Sequence, residues 1–294
     1  MKPAAFDYRC PDSLDEALRI LADAGDGAKV LAGGQSLLPM LNLRIVRPRL
    51  VVDIGRLLEL DYLRRAADGG LCIGALTRHR VLESSPLVAA MFPVVAEAMS
   101  HVAHLAIRNR GTLGGSLSHA DPAAELPLLA RLLDATLVVR SAAAERRVAA
   151  RDFFLGPLSP ALRPEELLVA VEIPALSHQG WGFDEVARRA GDFALAAAGV
   201  VLQVEQGRIA CARVALTGVG DVPLRCPGAE ALLAGRELDR APDQALLERA
   251  AQAACDGLQP RQDLQASAAL RLHLAAVVVH RALRKAWQRA TGAA

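Results

Sequence analysis

Cysteine motifs are missing from this chain of 294 residues. Its five cysteines are scattered, and no two of them form a C-x-x-C pair. They are Cys10, Cys72, Cys211, Cys226 and Cys255. This spacing fits neither a disulfide framework nor an iron–sulfur or zinc site. Any redox chemistry in this chain therefore needs an organic cofactor.

An excess of either charge is also missing, and so are long apolar runs. Lys and Arg total 34 against 32 Asp and Glu, so no overall field attracts nucleic acid or an anionic membrane. The longest apolar stretch near the end, 274–279, is too short to span a bilayer, and the first residues contain no run suited to a signal peptide. We therefore expect a cytoplasmic protein that binds a small ligand or a protein partner.

Motifs for hydrolytic, phosphoryl-transfer or metal catalysis are missing too. The chain has no Ser-His-Asp order, no paired catalytic carboxylates, no Walker lysine and no H-E-x-x-H helix. His101, His104 and His119 stand near one another in sequence, but no further ligand spacing supports a metal, which favours structural roles. We expect neither a catalytic residue nor a metal ligand in this chain.

Two glycine-rich turns are the most informative features that the chain does have. They are A-G-G-Q-S-L-L-P at 32–39 and G-T-L-G-G-S at 111–116. Paired glycines let backbone N–H groups point into one concavity, and such a nest holds a pyrophosphate without a lysine. Either turn alone also fits an ordinary tight turn. Together they predict a site for a dinucleotide such as FAD.

Caps and apolar periodicity predict the elements around these turns. Ser13 and Glu16 have the capping-box spacing and predict a helix over 13–24. Asp121 is a candidate N-cap, with Pro122 at the first position of a helix that ends near 134. Further helices are predicted at 86–98, 242–257 and 266–289, and strands at 29–32, 50–54, 70–74, 136–140, 167–173, 183–188, 194–204 and 209–216. Pro174 and the turn 177–180 mark a boundary, so we divide the chain into 1–55, 56–174 and 175–294.

Four strings in this order resemble the flavoprotein, or medium, subunit of carbon monoxide dehydrogenase and xanthine dehydrogenase, which is the FAD-binding subunit of molybdenum hydroxylases. They are 32–39 with Leu43-Arg44 following, I-R-N-R-G-T-L-G-G-S at 107–116, H-A-D-P-A-A-E-L-P at 119–127 and R-R-A-G-D-F-A at 188–194. The resemblance covers nearly the whole chain. It implies an α+β fold of the PCMH-type, vanillyl-alcohol-oxidase-like FAD-binding class, with a C-terminal domain of an antiparallel sheet and helices.

The resemblance also implies how the chain works. FAD lies extended between segments 1–55 and 56–174, and segment 175–294 packs near its ring. A large molybdopterin-binding subunit hydroxylates the substrate, and a small subunit carries two two-iron, two-sulfur clusters, in a dimer of heterotrimers. The FAD-binding subunit passes the electrons to NAD, a quinone, oxygen or another acceptor.

Carried over residue by residue, the resemblance places FAD contacts at fifteen positions. They are Leu31, Ala32, Gly33, Gly34, Gln35, Ser36, Leu37, Thr112, Leu113, Gly114, Gly115, Ser116, Asp121, Glu125 and Leu168. Glu125 matches an acidic position that contacts the ribose or adenine side of FAD, and its alternative role is an exposed acid at a helix start. Asp184 stands where some relatives have a flavin-contacting lysine, so that charge is not carried over, and Arg188 or Arg189 is a candidate replacement.

Two other functions stay open at this point. One is a self-sufficient flavin-dependent oxidoreductase of the same fold, although no extra substrate-capping domain is evident. The other is a non-catalytic dinucleotide-binding scaffold. Asp184, and Ser116 at a position where relatives often have asparagine, leave room for the scaffold.

Overall fold

The computed structural model of the protein describes residues 1–177 and 180–292. Its strands are β1 (Asp7–Arg9), β2 (Ala28–Leu31), β3 (Leu50–Asp53), β4 (Leu63–Arg65), β5 (Leu71–Gly74), β6 (Thr136–Arg140), β7 (Glu145–Ala149), β8 (Phe154–Gly156), β9 (Ser159–Pro160), β10 (Leu167–Ile173), β11 (Gly180–Ala187), β12 (Ala194–Glu205), β13 (Arg208–Thr217) and β14 (Leu224–Arg225). Its α-helices are α1 (Leu14–Ala24), α2 (Leu37–Asn42), α3 (His79–Ser84), α4 (Pro86–Met91), α5 (Pro93–Met99), α6 (Leu105–Arg108), α7 (Leu113–His119), α8 (Glu125–Leu132), α9 (Ala150–Phe153), α10 (Pro227–Leu233), α11 (Gln244–Ala253) and α12 (Ala268–Ala290). His178 and Gln179, in the middle of the predicted boundary turn, lie outside the described residues.

The first sheet has the strand order β1-β3-β2, and its strands are parallel. Helix α1 begins where the capping box predicts, because the Ser13 hydroxyl accepts the Glu16 N–H at 3.2 Å. The Glu16 carboxylate in turn accepts the Asp12 N–H at 3.0 Å. Such a cap stabilises a helix by about 1 kcal/mol. Leu14, Ala17, Leu18 and Leu21 form the buried face of α1.

The second sheet has the order β4-β5-β10-β6-β7, and its pairs are antiparallel. Its central strand, β10, is interrupted by a bulge between Leu168 and Ala170 where it pairs with β6. At this bulge the Val169 carbonyl accepts the Ala75 N–H at 3.0 Å. Because Ala75 also binds α7, the sheet holds the start of that helix in place.

The third sheet is antiparallel, in the order β11-β12-β13-β14, with the long helix α12 packed on β11 and β12. Helix α8 of the preceding segment packs on β12 and β13. The Pro122 carbonyl, just ahead of α8, accepts the Thr217 hydroxyl and the Gly218 N–H, both at 2.8 Å. The buried Arg271 guanidinium then donates to the Gly218 carbonyl at 2.8 Å, which ties α12 to this junction. The third sheet is therefore hydrogen-bonded to the segment that leads from α7 to α8.

Two predicted helices differ from those observed. The helix predicted at 86–98 is two helices, α4 and α5, because Pro93 has no N–H to continue α4 and instead occupies the first position of α5. The helix predicted from Asp121 begins only at Glu125. Asp121 caps a turn instead, since its carboxylate accepts the Ala123 N–H at 2.9 Å. The prediction of Asp121 as a helix N-cap is therefore wrong.

Besides a two-stranded sheet of β8 and β9, these three larger sheets follow one another along the chain. They lie within segments 1–55, 56–174 and 175–294, respectively. The division of the chain into three domains at these boundaries stays a prediction.

Candidate functional site

The first glycine turn connects β2 to α2 and leaves its backbone donors unused. Gly34 has a φ of 76°, a left-handed conformation that favours glycine. Among the described residues, no group accepts a hydrogen bond from the N–H of Gly33, Gly34, Gln35 or Ser36. The Gln35 side chain folds back and donates to the Gly33 carbonyl at 3.0 Å. The turn therefore presents four consecutive amides without partners.

The second glycine turn is built differently, because α7 begins within it. Thr112 is the N-cap residue of α7, and its hydroxyl accepts the Gly115 N–H. The amides pair as follows: Gly111 to Ile107 O (2.7 Å), Leu113 to Thr77 O (2.9 Å), Gly114 to Ala75 O (2.8 Å), Gly115 to Thr112 Oγ1 (3.1 Å) and Ser116 to Thr112 O (3.1 Å). Only the Thr112 N–H of this turn lacks an acceptor in the described part of the chain. The expectation that both glycine pairs leave their amides free is thus wrong for this turn.

The two turns touch through their backbones. A Cβ added at Gly33 would clash with the Arg110 carbonyl oxygen and lie 2.9 Å from the Gly111 Cα. A Cβ added at Gly115 would lie 3.7 Å from the Ala32 Cβ. The predicted meeting of the two turns is therefore confirmed, and no side chain separates Gly33 from the second turn.

Two residues outside both glycine-rich strings, Arg78 and His79, form hydrogen bonds with backbone carbonyls at the start of the second turn. The Arg78 guanidinium donates to the Arg110 carbonyl. The His79 ring is buried and lies 2.9 Å, through Nε2, from the Thr112 carbonyl. Because a carbonyl only accepts, Nε2 carries the hydrogen. Burial lowers the pKa of His79 to about 4; the charges of Arg108 and Arg78 act in the same direction, and the hydrogen bond to Thr112 opposes them. No local pattern singles out these residues, since their partners lie more than thirty positions away.

Glu125 begins α8 and is only 5% exposed, so the alternative of an exposed acid at a helix start is wrong. Burial raises the pKa of Glu125 to about 7, and the charge of Asp121 contributes to the rise. Glu185 of β11 lies close enough for its charge to act with that of Glu125. Burial and then Glu125 raise the pKa of Glu185 to about 8. Two acids with raised pKa values thus lie where the third sheet meets the second segment, and the charge of one acts on the other.

Asp184 and Glu185 are neighbours in β11 and have different surroundings. Asp184 lies 3.0 Å from the Lys285 ammonium and 3.7 Å from Arg281, both on α12. Arg188 donates to the Gln265 carbonyl at 3.3 Å and forms no ion pair with Asp184. The positive charge beside position 184 is therefore supplied by α12 rather than by Arg188.

The other predicted cofactor contacts fall into two groups. Leu31 ends β2 and Leu37 begins α2, so both border the first turn. Leu113 and Leu168 are 5% and 4% exposed and share one hydrophobic core, so only their backbones are available to a ligand. Ser116 is partly exposed in the first turn of α7, and its hydroxyl has no partner among the described residues.

Metal-ligating side chains are not clustered within the described ranges 1–177 and 180–292. No three His, Cys, Asp or Glu side chains there are grouped to hold a metal ion. The ring of His101 packs at a tilt on that of Phe183, with centroids 5.1 Å apart. In the same ranges no helix combines the length and the apolar character needed to cross a bilayer.

The arrangement at the two turns suits an anion. The first turn offers four unpaired amides, and the second, which touches it, offers the unpaired Thr112 amide and the Ser116 hydroxyl. The guanidinium of Arg78 donates to the Arg110 carbonyl, next to Gly33. Unpaired backbone donors of this kind are a common way to hold phosphate groups. The residues present therefore fit the diphosphate of a dinucleotide.

Comparison with known proteins identifies the family. Residues 4–176 match the FAD binding domain in molybdopterin dehydrogenase, and residues 181–286 match the CO dehydrogenase flavoprotein C-terminal domain. The chain is 43% identical, over 292 residues, to subunit alpha of the 6-hydroxypseudooxynicotine dehydrogenase complex of Paenarthrobacter nicotinovorans, covering 99% of this chain and 97% of that protein. It is 37% identical, over 290 residues, to the carbon monoxide dehydrogenase medium chain of Hydrogenophaga pseudoflava, covering 98% of this chain and 99% of that protein.

A solved structure agrees with these matches. A chain of quinoline 2-oxidoreductase from Pseudomonas putida 86 aligns with a TM-score of 0.93 at 42% identity, covering 99% of this chain and all of that one. The predictions of an α+β FAD-binding fold and of FAD as cofactor are confirmed. This chain belongs to the family of FAD-binding medium subunits of molybdenum hydroxylases, oxidoreductases of the carbon monoxide dehydrogenase and xanthine dehydrogenase type.

Proposed function

We propose that this chain relays electrons from the iron–sulfur clusters of a small partner subunit, through its FAD, to an external acceptor. The observation that carries the proposal is the contact between the two glycine turns. Gly33 meets the backbone of Arg110 and Gly111, and the four unpaired amides stand at this contact. Bound FAD supplies the redox chemistry, and the protein supplies binding, orientation and electrostatics.

We assign the FAD contacts to both turns and to the segment after α7. The amides of 33–36 donate to the diphosphate, with the Thr112 amide and the Ser116 hydroxyl beside them. Glu125 accepts a ribose hydroxyl, since it is buried and receives no hydrogen bond from another described residue. The proposed set is Leu31, Ala32, Gly33, Gly34, Gln35, Ser36, Leu37, Thr112, Leu113, Gly114, Gly115, Ser116, Asp121, Glu125 and Leu168.

The charges around this site favour an anionic ligand on one side. Arg78 donates to the Arg110 carbonyl just before the second turn, whereas Arg108 is bound to Glu83 at 2.9 Å. Glu125 follows the other end of α7 in the chain, and its charge acts on Glu185. Phosphate groups are therefore favoured at the start of α7 and hydroxyl groups near its end.

The complex that we propose holds two further subunits. The large one binds molybdopterin and hydroxylates the substrate, and the small one carries the two two-iron, two-sulfur clusters, in a dimer of heterotrimers. The name of one relative describes it as a subunit of a dehydrogenase complex, and another relative is named a medium chain. The acceptor is NAD, a quinone, oxygen or another oxidant. A cytoplasmic location stays a prediction.

Two measurements test this function. The purified chain is first titrated with FAD, and we expect the flavin fluorescence to be quenched with a saturable, one-to-one dependence. The chain is then co-expressed with its proposed large and small partner subunits, and the holoenzyme is mixed with its substrate under anaerobic conditions. We expect the visible flavin absorbance to bleach.

Three outcomes would contradict the proposal. Absence of FAD binding would remove the site itself. Binding without bleaching in the holoenzyme would favour a scaffold. Bleaching of the isolated chain by a small substrate would favour a self-sufficient oxidoreductase.

A further inference from the structure

We infer that His79 is a positioning residue for FAD, which sets the second glycine turn against the first through an uncharged imidazole. The inference rests on the proposed assignment of the two turns to the diphosphate of FAD. His79 touches neither the first turn nor the groups assigned to the ligand. It acts through Gly111 and Thr112.

His79 fixes the second turn by three contacts. Its Nε2–H donates to the Thr112 carbonyl at 2.9 Å, and its own backbone N–H donates to the Gly111 carbonyl at 3.0 Å. Its ring also packs against Gly111, where an added Cβ would lie 2.8 Å from Cε1 and Nδ1. Gly33 lies against the backbone of the same Gly111. The ring therefore determines how closely the second turn approaches the first.

The Thr112 carbonyl links this contact to the ligand side of the turn. It belongs to the N-cap residue of α7 and also accepts the Ser116 N–H at 3.1 Å. The unpaired Thr112 amide and the Ser116 hydroxyl belong to the two residues that this bond joins. Loss of the His79 donor would leave that carbonyl with one partner fewer and free the cap to move.

The surroundings of His79 require a neutral ring. The ring is 6% exposed, and its Nδ1 has no hydrogen-bond partner among the described residues. The charged groups that act on it are Arg78 on its own segment and Arg108 of α6, both cations. Arg108 is paired with Glu83, while Glu97 of the adjacent α5 is paired with Arg289. A proton on Nδ1 would place an unpaired buried cation near Arg78 and Arg108, so the ring is held in the tautomer that donates from Nε2.

The experiment compares two amide variants that differ in reach. In His79→Gln the side-chain N–H₂ extends as far as the imidazole Nε2, so it keeps the donor to Thr112. In His79→Asn the amide reaches only as far as Nδ1, so it loses that donor. Each full-length chain, freed of FAD, is titrated with FAD and with ADP, which shares the diphosphate. Leu247→Ala, a truncation in the separate core under the third sheet, is the control for general loss of stability.

We expect His79→Asn to bind FAD and ADP about tenfold more weakly than wild type, and His79→Gln to stay within about threefold. Leu247→Ala should bind both ligands with wild-type affinity. Equal affinities of the Asn and Gln variants, or an equal loss in Leu247→Ala, would overturn the inference while leaving the proposed function in place. A wild-type chain that binds neither ligand would remove the proposed function and, with it, the inference.

A pH profile provides a second readout. The folded pKa of His79, about 4, lies below its ordinary value of 6.5. Between these two values the unfolded chain takes up a proton that the folded chain does not, so stability falls as pH is lowered from 6.5 to 4. Over this range the unfolding constant of wild type should rise on the order of a hundredfold relative to His79→Gln. Parallel pH profiles would contradict a buried neutral ring.

Discussion

The two glycine turns have similar sequences and use their backbones in opposite ways. In the first turn the amides of 33–36 have no partners among the described residues. In the second turn the amides of 113–116 are all bound within the protein. The first turn is thus a donor surface, and the second is a rigid support against which the donor surface is set.

The residue that precedes each helix explains the difference. Thr112 is extended, with φ −120° and ψ 151°, so its hydroxyl reaches back to cap α7. Ser36, in front of α2, has helical angles, φ −99° and ψ −46°, and its side chain forms no capping bond. Extended backbone is the usual N-cap conformation. A glycine pair therefore does not by itself decide whether a ligand or the protein receives the amides.

The largest effect is expected from Gly33→Ala, which separates the two turns. The new Cβ would meet the backbone of Arg110 and Gly111, neither of which is a flexible side chain. Hydrogen bonds from amides to phosphate contribute roughly 1.5–3 kcal/mol each, so the loss of two of them weakens FAD binding about 100-fold or more. Fluorescence titration of the FAD-free chain measures this loss.

Gly156→Ala is the matched control for Gly33→Ala. A Cβ at Gly156 has its nearest neighbour, the Ser159 Cβ, at 4.0 Å, so the substitution is accommodated. This control should bind FAD like wild type. If Gly33→Ala also bound FAD like wild type, FAD binding would not depend on the contact between the two turns. The distinction between a donor turn and a supporting turn would then be contradicted.

Gly114→Ala tests the supporting turn and should affect stability more than affinity. The new Cβ would lie 2.6 Å from the Ala75 Cβ and 2.8 Å from the Ala75 carbonyl oxygen, inside the packed start of α7. Overpacking of this kind costs about 1–3 kcal/mol in the free energy of unfolding. Urea unfolding of the FAD-free chain measures that cost, and FAD titration of the folded chain should change less than for Gly33→Ala. The reverse ranking of the two variants would contradict the assignment of donor and support.

The sequence predicted well those elements that local signals define. Helix α1 has its cap, and the long strands β12 and β13 were predicted to within two residues at each end. The break at Pro93 was missed because proline fits the first turn of a helix as well as it interrupts one. Short strands such as β1 were missed because they are stabilised by pairing with β3 rather than by their own pattern.

The site was predicted less completely, because its supports are tertiary. The fold brings the strings at both turns together, and the FAD contacts assigned to them stay a prediction. His79 acts on a residue thirty-three positions away, which no motif records. The family strings drew attention to Asp184, whereas the acid on which the charge of Glu125 acts is its neighbour Glu185. Strand alternation puts the two on opposite faces, but only the packing of α12 and α8 decides which face each one takes.

The stability of the protein should respond to pH through the two acids rather than through the first turn. The donors of the first turn are amides, which do not titrate, whereas Glu125 and Glu185 lie beyond the end of α7. The folded pKa of Glu185, about 8, lies above its ordinary 4.5, so the folded chain keeps a proton that the unfolded chain loses as pH rises. Stability should therefore fall between pH 4.5 and 8.

Glu185→Gln should remove part of this fall. At pH 8 we expect the variant to be more stable than wild type by about 2 kcal/mol, since one pKa unit corresponds to about 1.4 kcal/mol and the buried amide must still find partners. At pH 4.5 the two should differ little. Urea unfolding at both pH values measures the change, with the exposed Glu248→Gln on α11 as control. A variant less stable than wild type at pH 8 would contradict the raised pKa of the Glu185 carboxyl.

The smallest effects compare the hydroxyl in front of each helix. Thr112→Val keeps the side-chain volume but removes the oxygen that caps Gly115, so it should cost about 1 kcal/mol in the free energy of unfolding. Ser36→Ala removes a hydroxyl that caps nothing, so it should cost less than about 0.5 kcal/mol. Thr112→Ser retains the cap and serves as control.

Because the Ser36 hydroxyl has no partner in the described chain, its removal should appear as weaker FAD binding rather than as lower stability. Equal stability losses at the two positions would mean that both turns are structural, and the first would then no longer stand apart as the donor surface.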